Sequence, residues 1–221
     1  EQQKIASFLS TIEEKIQLLK KQQAHLELYK KGVMQKIFLR ESRFKDENGE
    51  NFPGWKELKL KDVVAKQSSN ISANNIELNF GDYIIYGASG ILKKIDFYEI
   101  ESDYISIVKD GAGVGRLLYC KGKSSVLGTL DILKPILSQV DTRFIYYLLS
   151  TIDFTKYVTG STIPHIYFRD YQKEKVHLPE KEEQQKIASF LTAIDQKIDH
   201  CKEQIRLTEE WKKGLLQQMF V

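Results

Sequence analysis

Eight residues, KDGAGVGR at 109–116, combine a basic residue at each end with three glycines, a composition that can bring bare backbone N–H groups against a phosphate or a base edge. The spacing argues against a dinucleotide fingerprint. Gly111, Gly113 and Gly115 run GxGxG without the last interval of G-x-G-x-x-G, and strand-like RLLYC follows where a helix is required. A glycine hairpin is therefore the first reading, and close backbone approach to a phosphate or base the second. KGKS at 121–124 lacks the glycine that a phosphate loop carries five positions before Gly122. His25, His165, His177 and His200 are scattered, no Cys or His pair has zinc-ligand spacing, and neither GxSxG nor HExxH occurs. Asp110 and Asp131 are the carboxylates one would pair around a metal, yet Asp131 stands in an apolar segment with no lysine of nuclease type beside it. The residues thus imply no enzyme, no metal and no cofactor.

These groups need a scaffold, and composition bounds it. The 221 residues are 42% hydrophobic, with eleven Tyr and eleven Phe, enough for a packed core. No window approaches a continuous apolar run of roughly 18 residues, no signal peptide opens the chain, and Cys120 and Cys201 are too few for a disulfide framework, so a cytoplasmic protein is expected, with no membrane partner. The formal net charge of +3 is small. Between Tyr104 and Leu130, however, Lys109, Arg116, Lys121 and Lys123 face only Asp110, a local basic stretch compatible with phosphate contacts or with a solvated face.

The phrase EQQKIASFL occurs at 1–9 and again at 183–191. Laid over one another, residues 1–38 and 183–220 agree at about 20 of 38 positions without a gap, the mark of a duplicated unit. In the first copy Ile5, Leu9, Ile12, Ile16, Leu19, Gln23 and Leu26 follow a four-three spacing. In the second, Ile187, Leu191, Ile194, Ile198, Cys201, Ile205 and Thr208 follow it in the same register. Such a stripe predicts a long helix wanting a helical partner, and each copy is the obvious partner of the other. About 34 helical residues span about 50 Å. Gly32 and Gly214, at matching places, are expected to let each helix turn or fray. The second copy has the leader VHLPEKE and the first has none, so the chain is expected to be a piece of something longer.

Between the copies, RFKDENGENFPGW is a turn-rich connector into a domain opening near Trp55. DYIIYG, DYISIV, RLLYC, TLDILKPI and KVHLP predict strands, and DTRFIYYLLST a buried helix with Asp141 as its N-cap. The expected fold is an α/β or α+β globular domain flanked by two long helices. The expected segments are a helical region at 1–38, a connector at 39–54, the domain at 55–182 and the second helical region at 183–221.

Together EQQKIASFL, VHLPEKE, YKKGVMQKIF, the RFKDENGENFPGW connector, YGASGI, KDGAGVGR and GSTIPHIYFRDY resemble, over nearly the whole chain, the DNA-specificity subunit of type I restriction-modification systems. The order of parts matches its second half: conserved helix, target-recognition domain, conserved helix. The resemblance implies a non-catalytic subunit that chooses the DNA sequence. Its two helical regions pack as an antiparallel coiled coil and dock methyltransferase subunits, and through them a motor-nuclease subunit. The duplicated seam also offers a homodimer of this half-length chain. Two recognition domains on a rod of about 50 Å would read a bipartite double-stranded DNA target, half-sites centred within roughly 15 base pairs. The competing readings are a coiled-coil assembly module without DNA specificity and a phosphate or nucleotide enzyme built on KDGAGVGR.

Base readout needs side chains with paired hydrogen-bond groups on exposed loops, and phosphates need Lys, Arg or small hydroxyls beside them. On the loops KQSSN, YGASG, KDGAGVGR and GSTIPHIYFR, candidates for bases or groove walls are Gln67, Ser68, Asn70, Tyr86, Ser89, Arg116, Thr162 and His165. Candidates for phosphates are Lys66, Lys93, Lys109, Lys121 and Arg169. Tyr86 and Tyr167 are equally readable as core residues and His165 as a satisfied loop histidine.

Overall fold

The computed structural model describes residues 2–219, and their side chains except those of Gln2, Lys4, Ile5, Ala6 and Met219. The chain folds into two compact units, Glu1–Ser42 with Ser189–Val221, and Arg43–Ala188.

The first unit is a helix pair. Helix α1 covers Gln2–Phe38 and helix α4 covers Lys181–Met219, each over 50 Å at 1.5 Å per residue. Lys30 pairs with Asp195 at 2.5 Å, Lys20 with Glu209 at 2.7 Å, Lys202 with Glu27 at 4.0 Å, and Lys212 with Glu13. Partner numbers fall on one helix as they rise on the other, so the pair is antiparallel. Shifting by one copy, Glu1 to Glu183, turns Glu13–Lys212 into Asp195–Lys30 and Lys20–Glu209 into Lys202–Glu27. The duplication has therefore become an approximate two-fold axis across the coil.

Ile12 and Ile16 are buried on α1, as are Leu191, Ile194, Ile198, Cys201 and Ile205 on α4, while Leu9, Leu19 and Leu26 are half-buried. Ile187 is buried within the other unit, and the side chain of Ile5 lies outside those described. Exposed ion pairs contribute only about 0.2–1 kcal/mol each, so the buried stripe holds the coil and the charges choose its alignment. Neither glycine ends its helix: α1 runs past Gly32 and α4 past Gly214, with nothing within 4 Å of a Cβ at either place. A helical glycine costs about 1 kcal/mol, less than packing along a seam this long supplies. The stop comes at Arg40, which takes φ 64 and lets the Glu41 and Ser42 N–H groups bond to the Lys36 carbonyl.

The second unit is α+β. Strands β1 (Lys56–Lys59) and β9 (Lys175–Leu178) pair alone. Four antiparallel strands run in the order β2 (Val64–Ser68), β8 (Leu130–Pro135), β5 (Tyr104–Val108), β6 (Leu117–Cys120). A third sheet orders β4 (Gly90–Ile95), β3 (Tyr83–Gly87), β7 (Ser124–Val126), with β3 and β7 parallel. YISIV of β5 is fully buried, which is why it reads as one apolar run rather than an alternation. Helix α2 (Thr142–Leu149), opened by Asp141 accepting from the Phe144 N–H, buries Phe144, Ile145, Tyr147, Leu148 and Leu149. The short helix α3 (Phe168–Tyr171) precedes β9. Burial pushes the Cys120 thiol up to about 11, so it stays protonated and packs as an apolar group.

The first turn of α4 is tied to the connector. Glu183 is 0% exposed, and its carboxylate receives Arg43 Nε at 3.1 Å, Arg43 Nη2 at 2.6 Å and Trp55 Nε1 at 3.0 Å. Gln184 accepts from the Asp141 N–H and donates to the Pro179 carbonyl. The duplicated phrase therefore opens on two polar residues that fasten the domain's entry and exit strands.

Candidate nucleic-acid interface

Between β5 and β6 the loop at 109–116 is a tight hairpin. Val114 N bonds to Gly111 O, Arg116 N to Gly113 O, and Gly115 N to Val108 O. Gly111, Gly113 and Gly115 all take φ between 81 and 88, a region that disfavours any side chain; a Cβ on Gly115 would also lie 3.0 Å from Phe154. The first reading of the glycines, a hairpin, is what the chain adopts.

Three other stretches meet this hairpin. Gly111 N bonds to Pro164 O and Ile166 N to Lys109 O, while the Asp110 carboxylate lies 2.6 Å from His165 Nδ1. Residues 159–165 form a small hairpin of their own, closed by Thr159 and His165, with Thr162 exposed at its tip. Arg116 Nη1 donates to the Ala88 carbonyl at 2.8 Å, joining the turn that carries exposed Ser89. On the far side Thr129 O accepts from Lys109 N and Asp110 N, and Gly128 N bonds to Ile71 O, drawing in exposed Asn70. Lys66, Ser68, Asn70, Ser89, Lys109, Arg116, Thr162 and His165 thus share one end of the domain. Gln67, exposed on β2, alternates to the opposite face from Lys66 and Ser68. Beyond His165, its ring stacks on Tyr167 at 6.4 Å and the Arg169 guanidinium lies 4.8 Å from the Tyr167 ring, a row of planar groups with Tyr167 45% exposed.

Three of the candidates lie elsewhere. Lys93 donates to the Ile76 and Glu77 carbonyls and covers the Phe80 ring, capping a 3-10 turn. Tyr86 is buried in the core with Tyr104 and Ile132, its hydroxyl accepting from Lys121 N. Lys121 sits past the other end of β6, 3.1 Å from Asp103. Burial raises the Asp103 pKa, but the Tyr119 hydroxyl, the Gly122 N–H and Lys121 together outweigh it and hold the carboxyl below its usual range. A depressed pKa gives stability that is complete above the unfolded value, about 3.9, and is lost as pH falls through the lower folded one. Urea melts of wild type and Asp103→Asn are accordingly expected to converge on acidification below about pH 4 and to differ most near neutrality.

Asp131 corrects one expectation. It has lysines beside it after all: Lys109 Nζ at 3.2 Å, from the first residue after β5, and Lys66 Nζ at 3.9 Å, from β2, the strands on either side of β8. Sequence proximity misses them because the register, not the chain order, brings them there. Sequence reasoning also misses Arg43 and Glu183; Glu183 stands four residues before Ile187, in the register of the apolar stripe, and a charge at that place is the available signal, whereas nothing marks Arg43. Among the described residues no group of three or more His, Cys, Asp or Glu is placed to hold a metal, and no helix is long and apolar enough to cross a membrane.

Comparison with known proteins adds a family. The model described as "Type I restriction modification DNA specificity domain" matches residues 53–209. The chain belongs to this family. It is 28% identical over 198 residues to the type I restriction enzyme MjaVIII specificity subunit of Methanocaldococcus jannaschii, covering 83% of this chain and 46% of that one. To the EcoDI specificity subunit of Escherichia coli it is 25% identical over 150 residues, covering 67% and 33%. The chain spans about half the length, or less, of these curated relatives. Its fold matches the S subunit from M. genitalium with TM-score 0.76 at 19% identity, covering 100% of this chain and 60% of that one. It matches the HsdS subunit from Thermoanaerobacter tengcongensis with TM-score 0.59 at 18% identity, covering 98% and 56%. The family's helix, sheet domain and helix recur here in the same order.

Proposed function

We propose that this chain selects a DNA sequence and leaves the chemistry to other subunits. The observation that carries this reading is the meeting of four separate stretches at one end of the Arg43–Ala188 unit, with Lys66, Lys109 and Arg116 among polar loop residues. Lysine and arginine there suit phosphates. Ser68, Asn70, Ser89, Thr162 and His165 suit base edges, and the His165, Tyr167, Arg169 row suits a groove wall. Lys93, Lys121 and Tyr86, tied down elsewhere, are left out of this reading.

In the same proposal, residues 55–182 are the recognition domain for one half of a bipartite target, residues 1–38 and 183–221 are the helical regions, and 39–54 connects them. The coil docks methyltransferase subunits and, through them, a motor-nuclease subunit; its approximate two-fold axis offers two equivalent faces for that purpose. A homodimer of this chain would supply the second recognition domain. Selection of bound duplexes from a random pool, with and without the methyltransferase partner, tests the central claim. One enriched half-site, or a pair separated by an unread spacer, is the expected result. A pool that stays random under both conditions overturns it and leaves an assembly module.

A further inference from the structure

Asp131 is 4% exposed and lies between the fully buried Leu130 and Ile132. Removing a carboxylate from water costs several kcal/mol unless cations and hydrogen bonds compensate, so its presence in β8 needs a reason. Its Oδ1 receives the Ser68 hydroxyl at 2.9 Å and Lys109 Nζ at 3.2 Å, and Lys66 Nζ, 3.9 Å away, donates to the same Ser68 hydroxyl at 2.8 Å. The register explains the convergence. Asp131 faces Ser68 on β2 and Ile107 on β5, and each lysine stands two residues from one of these partners, on the same face of the sheet.

One lysine would neutralise one carboxylate. Two leave the cluster with a surplus positive charge, at the edge where the loops meet, with side chains 33% and 22% exposed. We infer that Asp131 is a positioning residue for sequence discrimination: it fixes Lys66 and Lys109 so that they grip the DNA phosphates in one register and thereby set the reading loops over the bases. This rests on the DNA-selecting reading above. A free lysine side chain samples many rotamers, a freedom that a held one has already given up before binding. The buried negative charge also weakens attraction to phosphates at any other spacing. Asp131 therefore exchanges sequence-independent affinity for discrimination.

Asp131→Asn keeps the shape and removes the charge. Binding of the full chain to a random-sequence duplex and to the duplex enriched by the wild type separates the outcomes. Random-duplex affinity is expected to rise about threefold, and enriched-duplex affinity to fall about tenfold, the released lysines behaving as mobile charges. A purely structural role would lower both together. Equal shifts on both duplexes, in either direction, overturn the inference. If Asp131→Asn does not fold by circular dichroism, Asp131→Ser, smaller, uncharged and still able to accept from the Ser68 hydroxyl, carries the test on the same two duplexes: the ratio is expected to fall likewise, and an unchanged ratio is fatal. A wild type that enriches no sequence overturns the underlying DNA reading before any variant is made, so the two failures are told apart.

Discussion

Arg43→Ala is expected to lower the unfolding free energy of the Arg43–Ala188 unit by about 3 kcal/mol, because it strands a fully buried carboxylate. Glu183 would keep only Trp55 as a donor among the three bonds that now satisfy it. Arg43 also donates to the Pro53 carbonyl at 2.7 Å, so the connector loses a second tether. Glu183→Gln removes the charge and keeps an acceptor for Trp55, and is expected to cost less, about 1–2 kcal/mol. The double variant should be more stable than Arg43→Ala alone, since no charge is then left unpaired. Urea unfolding of the four proteins gives the cycle directly. Simple additivity of the two single changes would show that the pair is not the lock described.

The second large effect concerns binding. Lys109→Ala with Arg116→Ala is expected to reduce DNA affinity on the order of tenfold or more near physiological salt, and to flatten the dependence of log K on log salt by about 0.9 for each phosphate that is no longer neutralised. The coil should be unaffected by circular dichroism, as neither residue belongs to it. Arg116 also fastens the Ala88 turn, so part of the loss would come from a loosened loop, which lowers affinity without changing the slope. Lys121→Ala is the positional control: it removes one positive charge from the same basic stretch, but beside Asp103, and is expected to leave the slope unchanged, where each of the two interface charges is worth about 0.9. Identical slopes for wild type and the double variant would remove the glycine hairpin from the interface.

What the sequence made legible was whatever depends on neighbours along the chain. The stripe on each helix, the Asp141 cap, and the strands β3, β5, β6, β8 and β9 all carry their burial pattern in adjacent letters. β1, β2 and β4 do not: KELK, VAKQS and GILKKI are largely exposed and charged, so no alternation marks them. SSV of β7 is buried, but its serines are satisfied by partners such as the Tyr104 hydroxyl and the Glu99 N–H, which lie outside the strand. The candidate site divides the same way. Lys66, Lys93, Lys109 and Lys121 look alike as letters; which of them share a surface depends on strand register and on carbonyls supplied from 16 and 17 residues away in the case of Lys93.

The ladder of charges along the coil also forbids sliding. Moving one helix by seven residues would keep the apolar stripe intact, so the seam alone tolerates it. One direction sets Lys20 against Lys212, Lys30 against Lys202 and Glu27 against Glu209; the other sets Glu13 against Glu209, Lys20 against Lys202 and Glu27 against Asp195. Like charges face each other either way, and each such encounter is penalised. Because every attraction has its mirror in the other copy, one mutated rung would weaken the ruler at a single end and spoil its evenness, whereas exchanging the signs of both members of a mirrored set would leave the length it measures untouched.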